Sequence, residues 1–417
     1  MFKDNFLEKW KHNQNWIAVI CILGMVAGFM TGRAILSLFM FLFFINTVAL
    51  ADYKKIKLQK FWLIGLIWFL FYVLSYFWSE DIPYWIERVQ VKFPLLILPL
   101  AFGLQPALLE NQKKWIVGGI TLFTILGCCY SLSFYFSNSA QIIEDVFKSK
   151  VFKTPAYSDH IRYSIFTAWV TSLAFIQFLK NQSDKKSSVI WLLVFIFLTL
   201  YLHILAVKSG LITLYLFFAC YTIYTIIKKQ WKIAGLIGLI MVIGSISLYN
   251  QVPTFREKLH YVKYTAELYQ SGSRSVEYSD IGRLVSYELG INIFLQNPIF
   301  GVGAGDVRSA MFDQYQKNQP SMSNEQYLVP HNQLLEILVI GGVVLFVLFL
   351  AWLLYPMINW PKNGIMGFWL VSTWVMIVTA CQFEPMLEIQ FGIFVFLFCL
   401  FVSAILIKTP ENETQYY

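Results

Sequence analysis

The sequence predicts an all-α polytopic membrane protein with about twelve transmembrane helices and one large, partly helical loop on the outer side. Three observations carry this. Of 417 residues, 58% are hydrophobic and only 13% charged, against about 25% charged in a soluble domain. Apolar runs of roughly twenty residues recur from end to end, each long enough to cross a hydrocarbon core of about 30 Å. Trp and Tyr gather near the ends of these runs, as interfacial anchors do.

The spans fall at roughly 16–31, 34–51, 61–78, 91–104, 115–136, 161–179, 189–207, 209–227, 232–249, 333–355, 365–383 and 389–407. The first follows Lys3, Lys9 and Lys11. No small-x-small cleavage site succeeds it and another span begins at once, so it reads as a retained helix, not a signal peptide. The fourth is short and holds Pro94 and Pro99, which predicts a broken or tilted segment. All six cysteines lie within apolar runs without metal-ligand spacing and read as small hydrophobes.

Lysines set the orientation. Lys54, Lys55, Lys57 and Lys60, then Lys113 and Lys114, then Lys180, Lys185 and Lys186, then Lys228, Lys229 and Lys232, and finally Lys362 occupy alternate loops. The positive-inside rule places these loops and both termini in the cytoplasm. Topology accounts for the net charge of +8, and nucleic acid is not implied. The whole chain, 1–417, reads as one membrane domain, with its longest polar segment at 250–332 between the ninth and tenth spans.

Within that outer loop, Pro253 to Gln270 reads as an amphipathic helix with Phe255, Leu259 and Val262 on one stripe. Ser271 to Ser275 is a flexible break. A second helix runs from Ile281 to Gln296 with Leu284, Tyr287, Ile291 and Phe294 or Leu295 at helical spacing, and Asn297-Pro298 ends it. Gly301 to Gly305 is not a dinucleotide fingerprint, because Asp306 stands where the third glycine would fall. It reads as a tight turn that folds the loop back on the bundle, with Asp306 as N-cap of a short third helix.

Candidate functional residues concentrate on the outer side. All seven arginines, Arg33, Arg88, Arg162, Arg256, Arg274, Arg283 and Arg308, fall there, while the inner loops use lysine alone. The planar guanidinium fork suits phosphate and carboxylate, so an anionic ligand is one reading and ordinary loop ion pairs the other. His331 follows Pro330 and is expected in the first turn of the tenth span. The helix dipole and partial burial would keep its imidazole neutral, as a general base requires. The bland alternative is a histidine bonded to lipid headgroups. Asn332 and Glu336 are expected to share a helix face, and an ionisable residue inside an apolar run needs a partner or a role. Arg283 opens the second loop helix, where a phosphate, Glu277 or Asp280 would favour it. Lys208 either snorkels to headgroups or faces an anion. His160 and Arg162 begin the sixth span, as interfacial anchors or as part of the site. Asp-x-Asp, His-x-x-His, Cys-x-x-Cys and Walker patterns are absent, so no metal, ATP or other cofactor is implied. Nearly charge-free mid-span regions argue against a secondary transporter.

Four segments resemble the bacterial O-antigen ligase and O-antigen polymerase superfamily: Asp280-Ile281-Gly282-Arg283-Leu284; Asn297-Pro298 through Gly305-Asp306; His331-Asn332 with Gly341-Gly342; and the turn at Lys208-Ser209. The resemblance implies a metal-independent, all-helical glycosyltransferase in the bacterial inner membrane with a periplasmic active site. It implies an undecaprenyl-diphosphate-linked glycan as donor, and a lipid A core sugar (ligase) or another lipid-linked glycan (polymerase) as acceptor. By motif, His331 looks like the residue that activates the acceptor hydroxyl and Arg283 like the donor-diphosphate ligand. Lys208 stands where ligases usually carry a second arginine, and Leu345 where they carry a small or tyrosyl residue. A transporter of the same lipid is the alternative from a different class.

Overall fold

A computed structural model describes residues 2–51, 59–147, 150–274, 278–320, 322–360 and 362–409. Lys54, Lys55, Lys57, Ser275 and Glu277 lie outside the described residues. The helices in order are α1 (Phe2–Thr31), α2 (Arg33–Val48), α3 (Lys60–Leu74), α4 (Ile82–Val91), α5 (Pro94–Leu104), α6 (Glu110–Ser137), α7 (Ser139–Phe147), α8 (His160–Lys180), α9 (Lys185–Leu205), α10 (Lys208–Ile227), α11 (Trp231–Gln251), α12 (Pro253–Gln270), α13 (Ser279–Gln296), α14 (Val307–Asn318), α15 (Gln333–Asn359), α16 (Gly364–Ala380) and α17 (Gln390–Ile407).

Every predicted span has a helix, but they are not equal. Among the described residues, eight helices are long and apolar enough to cross a membrane: α1, α3 with the 3-10 turn after it, α6, α9, α10, α11, α15 and α17. Two shorter apolar helices, α2 and α16, accompany them. The chain is therefore an all-helical polytopic membrane protein, with fewer helices of full crossing length than the twelve spans expected. Two further expected spans miss that standard for different reasons, α5 by its length and α8, at 21 residues, by its polar content. With 11 residues, α5 is about 16 Å long, half a hydrocarbon core; Pro94 opens it, Pro99 lies inside it, and α4 precedes it as a separate helix. In α8 the run Arg162–Ala174 is continuously buried and carries Ser164, Thr167, Thr171 and Ser172 inside the bundle. A helix enclosed by protein on all sides needs no apolar exterior.

The core is built around α17, which packs on α5, α8 and α16 and is buried from Phe391 to Leu406. Aromatic rings fill it, with Phe102 stacked on Phe401 at 5.4 Å and Trp352 on Phe396 at 5.5 Å. At the periphery, α11 packs on α10 and α12 and has only Ala234 buried.

Residues 250–332 contain α12, α13 and α14, and the faces of the first two differ from those expected. In α12 the buried positions are Thr254, Phe255, Lys258, Tyr261 and Thr265, while Leu259 and Val262 are outward. In α13 they are Ile281, Gly282, Val285, Ser286, Leu289, Gly290 and Ile293; Leu284, Ile291 and Leu295 face out. Both faces of α13 are apolar, so periodicity alone cannot choose. The small residues Gly282, Ser286 and Gly290 recur every four positions and mark the face that lies against its neighbours. A Cβ at Gly290 would meet Leu335 at 3.0 Å and Pro330 at 3.2 Å.

The turn at 298–305 folds back onto the bundle by opening a membrane helix. Within α15, Gly342 has φ 59 and ψ −158, which interrupts the i→i−4 ladder. The carbonyls of Val339 and Ile340 accept from Val302 N and Gly303 N, both at 2.9 Å, and Val343 N donates to Pro298 O at 2.9 Å. Backbone groups released by the kink are thus satisfied by the loop, as burial in an apolar medium demands. Asp306 stands at the N-cap position of α14 but makes no cap bond. Its carboxylate accepts from Glu80 N and Asp81 N at 2.9 and 3.0 Å, tying this turn to the segment before α4.

Candidate active site

The α15 helix begins at Gln333, and Asn332 is its N-cap, with Oδ1 accepting from Leu334 N at 2.9 Å and Leu335 N at 3.1 Å. This corrects two expectations. His331 precedes the helix instead of occupying its first turn, and Pro330 is not its first residue. The Asn332 side chain folds onto the helix end and does not pair across a face with Glu336.

His331 is held from two sides. Its N–H donates to Ser286 Oγ (3.3 Å) and its carbonyl accepts from Tyr287 Oη (3.0 Å), both on α13. On the other side lies the segment after α16: Asn332 Nδ2 donates to Gln382 O at 3.2 Å, and Gln333 N to Cys381 O at 2.8 Å. The ring is fixed as well. Nδ1 lies 2.9 Å from Val329 O; a carbonyl only accepts, so Nδ1 carries the hydrogen and Nε2 presents its lone pair. Burial lowers the pKa of His331 below the usual histidine value. The Glu384 charge and the Val329 carbonyl oppose that shift, and Arg283 and Arg162 reinforce it.

Arg283 and Arg162 act on this ring, and ion pairs extend the cationic cluster to four helices. Arg283, on α13, gives one guanidinium nitrogen to Glu384 and has the other 3.8 Å from Asp280. Arg162, on α8, lies 3.4 Å from the same Glu384 and 3.7 Å from Asp159. Its Nε is buried without a hydrogen-bond partner among the described residues. Asp159 caps α8 by accepting from Arg162 N at 3.1 Å. Lys208, the first residue of α10, pairs with Asp280 and lies over the Tyr261 ring, 5.3 Å from its centroid. Lys258, on α12, lies over the same ring at 4.7 Å. Burial pushes the Lys258 ammonium down to about 8, with Lys208 acting the same way.

Lys208 and Lys258 stand at the edge of an apolar groove of about 620 Å³. Leu211, Ile212 and Tyr215 of α10, Met241 of α11, and Phe255 and Leu259 of α12 line it. The loosely packed α11 leaves this groove open along the bundle. A cationic head region above an apolar trough fits an anionic amphiphile.

The expected site residues therefore separate into groups. His331, Arg283, Arg162 and Lys208 come together, with Asn332 as the cap that fixes the histidine's backbone. His160 is the half-exposed first residue of α8. Glu336 belongs elsewhere: it is buried, its Oε2 has no hydrogen-bond partner among the described residues, and Glu388, Arg88 and Lys92 are the charges that act on it. Those three form a second buried network. Glu388 takes Arg88 and, at 2.7 Å, Lys92, and accepts from Gln333 Nε2 at 2.9 Å.

Sequence reasoning missed Glu384 and Lys258. Glu384 stood in a short outer loop with no motif around it; its one signal was an acidic residue between two strongly apolar spans. Lys258 sits between Phe255 and Leu259, where an amphipathic stripe reads as apolar and a lysine as solvated. Among the described residues, no group of three His, Cys, Asp or Glu is placed to hold a metal ion.

Fold and site define a polytopic membrane protein with a cationic cluster around a positioned imidazole. Residues 188–350 match the family model described as O-antigen ligase, a stretch that contains Lys208, Lys258, Arg283 and His331. No curated protein matches the chain. The match and the spanning helices together support an O-antigen ligase- or polymerase-like membrane enzyme.

Proposed function

We propose that this protein moves a glycan from undecaprenyl diphosphate to a lipid A core sugar at the periplasmic face of the bacterial inner membrane. The observation that carries the reading is a run of cations: Arg283 and Arg162 share Glu384 near His331, Asp280 links Arg283 to Lys208, and Lys208 and Lys258 line an apolar groove. In this reading the chain is one membrane domain of about twelve crossings with both termini cytoplasmic, and 250–332 is a periplasmic loop. The groove takes the polyprenyl tail and the cations take the diphosphate.

The chemistry follows from these positions. The acceptor hydroxyl attacks the anomeric carbon, and its proton passes to His331 Nε2. The bond from that carbon to the diphosphate oxygen breaks, and the diphosphate leaves with the electron pair. Arg283 and the two lysines match the charge gathering on the leaving group. In-line attack inverts the anomeric carbon.

The same machinery would serve a polymerase that joins lipid-linked repeat units, and lysine at 208 in place of the ligases' usual arginine favours this second reading. Deletion of the gene, followed by electrophoresis of the surface glycolipid, separates the two. Loss of a ligase leaves bare core and accumulated lipid-linked polymer. Loss of a polymerase leaves core bearing a single repeat unit. A lipid-linked glycan transporter would instead leave the glycan on the cytoplasmic face, and His331→Ala would then keep full activity.

A further inference from the structure

Among the described residues, Glu384 is the one carboxylate that meets both Arg283 and Arg162. It is 3% exposed, and its two oxygens divide between Arg283 and Arg162. Both terminal nitrogens of Arg283 face carboxylates, Glu384 on one and Asp280 on the other. A bidentate contact from Arg283 to a diphosphate uses the same two nitrogens. The two anions therefore compete for one guanidinium.

The segment that carries Glu384 cannot simply swing away. Lys92 donates to Leu387 O, Leu387 N donates to Gln333 Oε1 at 2.6 Å, and Gln333 Nε2 donates to Glu388. Tyr287 and Asn332 bind Gln382 O. A Glu384 displaced from Arg283 stays where it is, buried, with Arg162 as its remaining partner. A buried carboxylate in that position favours any new cation beside it. Tyr287 Oη bonds both His331 O and Gln382 O, so the segment that bears Glu384 lies against the histidine, and the Glu384 charge acts on His331 against those of Arg283 and Arg162. Asp159, His160, Asp280, Lys208, Lys258, Tyr287 and Cys381 are further titratable and charged groups on the surrounding elements.

We propose that Glu384 is an exchangeable counter-ion: a diphosphate displaces it from Arg283, and the freed carboxylate then supports the imidazolium that forms when His331 takes the acceptor's proton. Glu384 is thus a positioning residue that couples donor binding to the base. The inference rests on the reading of Arg283 as the diphosphate ligand.

The test uses the full chain in detergent micelles with inorganic pyrophosphate as probe. Calorimetry reads affinity. Nitrogen-15 NMR reads the titration of His331, one of five histidines, assigned by its loss in His331→Gln. Removing the competitor in Glu384→Gln is expected to tighten pyrophosphate binding about five- to tenfold. In the pyrophosphate-bound protein the same variant is expected to move the His331 titration to lower pH. Glu384→Asp keeps the charge and shortens its reach to Arg283, so it should also bind more tightly while retaining most of the His331 titration. With a lipid-linked donor, Glu384→Gln lowers KM and kcat together. Weaker or unchanged pyrophosphate binding in Glu384→Gln and Glu384→Asp overturns the exchange, and an unmoved His331 titration overturns the coupling. Pyrophosphate binding that is indifferent to Arg283→Gln instead removes the donor-site reading itself.

Discussion

The carbonyl of Val339 accepts its hydrogen bond from Val302, not from Val343 four residues further along its own helix. One exchanged bond links the outer loop to the span that follows His331. With its neighbours it fixes the chain just after α13, the helix that carries Arg283, against the kink in the middle of α15, the helix that Asn332 caps. The packing of α13 against α15 therefore depends on a helix that is broken in a defined place.

Gly342→Ala tests that dependence. Gly342 has φ +59, and an added Cβ would lie 2.3 Å from Ile299 O. Strain and clash together should cost about 2–4 kcal/mol, seen as a lower unfolding temperature in detergent and loss of transfer. Gly238→Ala in α11, where a Cβ meets nothing within 4 Å, should leave both unchanged.

His331 predicts the acid limb of the pH profile. Burial depresses its pKa, so the neutral base is present above that lowered value and is lost as pH falls through it. The acid limb of kcat/KM should lie below the ordinary histidine value of about 6.5. His331→Gln should abolish the limb and reduce transfer by about 10²–10⁴. An acid limb unchanged in His331→Gln would assign the base to another group.

Arg283→Lys keeps the charge and removes the fork. Donor KM should rise about tenfold or more, while the loop helix still folds on its apolar face. Lys208→Arg is the reverse change at a residue that already pairs with Asp280; it should hold or tighten the donor. Equal donor KM in wild type and Arg283→Lys would exclude a bidentate diphosphate contact.

How much of this was legible in the sequence depends on the scale. The apolar runs located a helix for every expected span, because crossing length and hydropathy are local properties. Not legible were the shortness of α5, where prolines decide, and the enclosure of α8 by protein. Arg283, His331 and Lys208 stand out in the sequence by residue type, by position and by the family-like segments around them. Glu384 does not, because its role arises from contacts across more than a hundred residues of chain. The packed face of α13 was misjudged because Leu284 and Ile291 are as apolar as Val285 and Leu289; only Gly282, Ser286 and Gly290 hint at the close side. Glu336 stands out as costly, but its neighbours Arg88 and Lys92 lie 248 and 244 residues away by number.

Lys258 makes the last prediction, on the alkaline side. Burial lowers its ammonium to about 8, so the charge is present below that value and lost as pH rises through it. If Lys258 holds the donor diphosphate, donor KM should begin to rise near pH 8, well below the ordinary lysine value of about 10.4. Lys258→Arg should restore tight binding at pH 9, because a guanidinium stays charged there. Lys258→Met keeps the apolar stem against Tyr261 and removes the charge, so its donor KM should be high and flat across the same range. A wild-type profile without the rise, or one that survives in Lys258→Met, would move Lys258 from the binding site to the packing of α12.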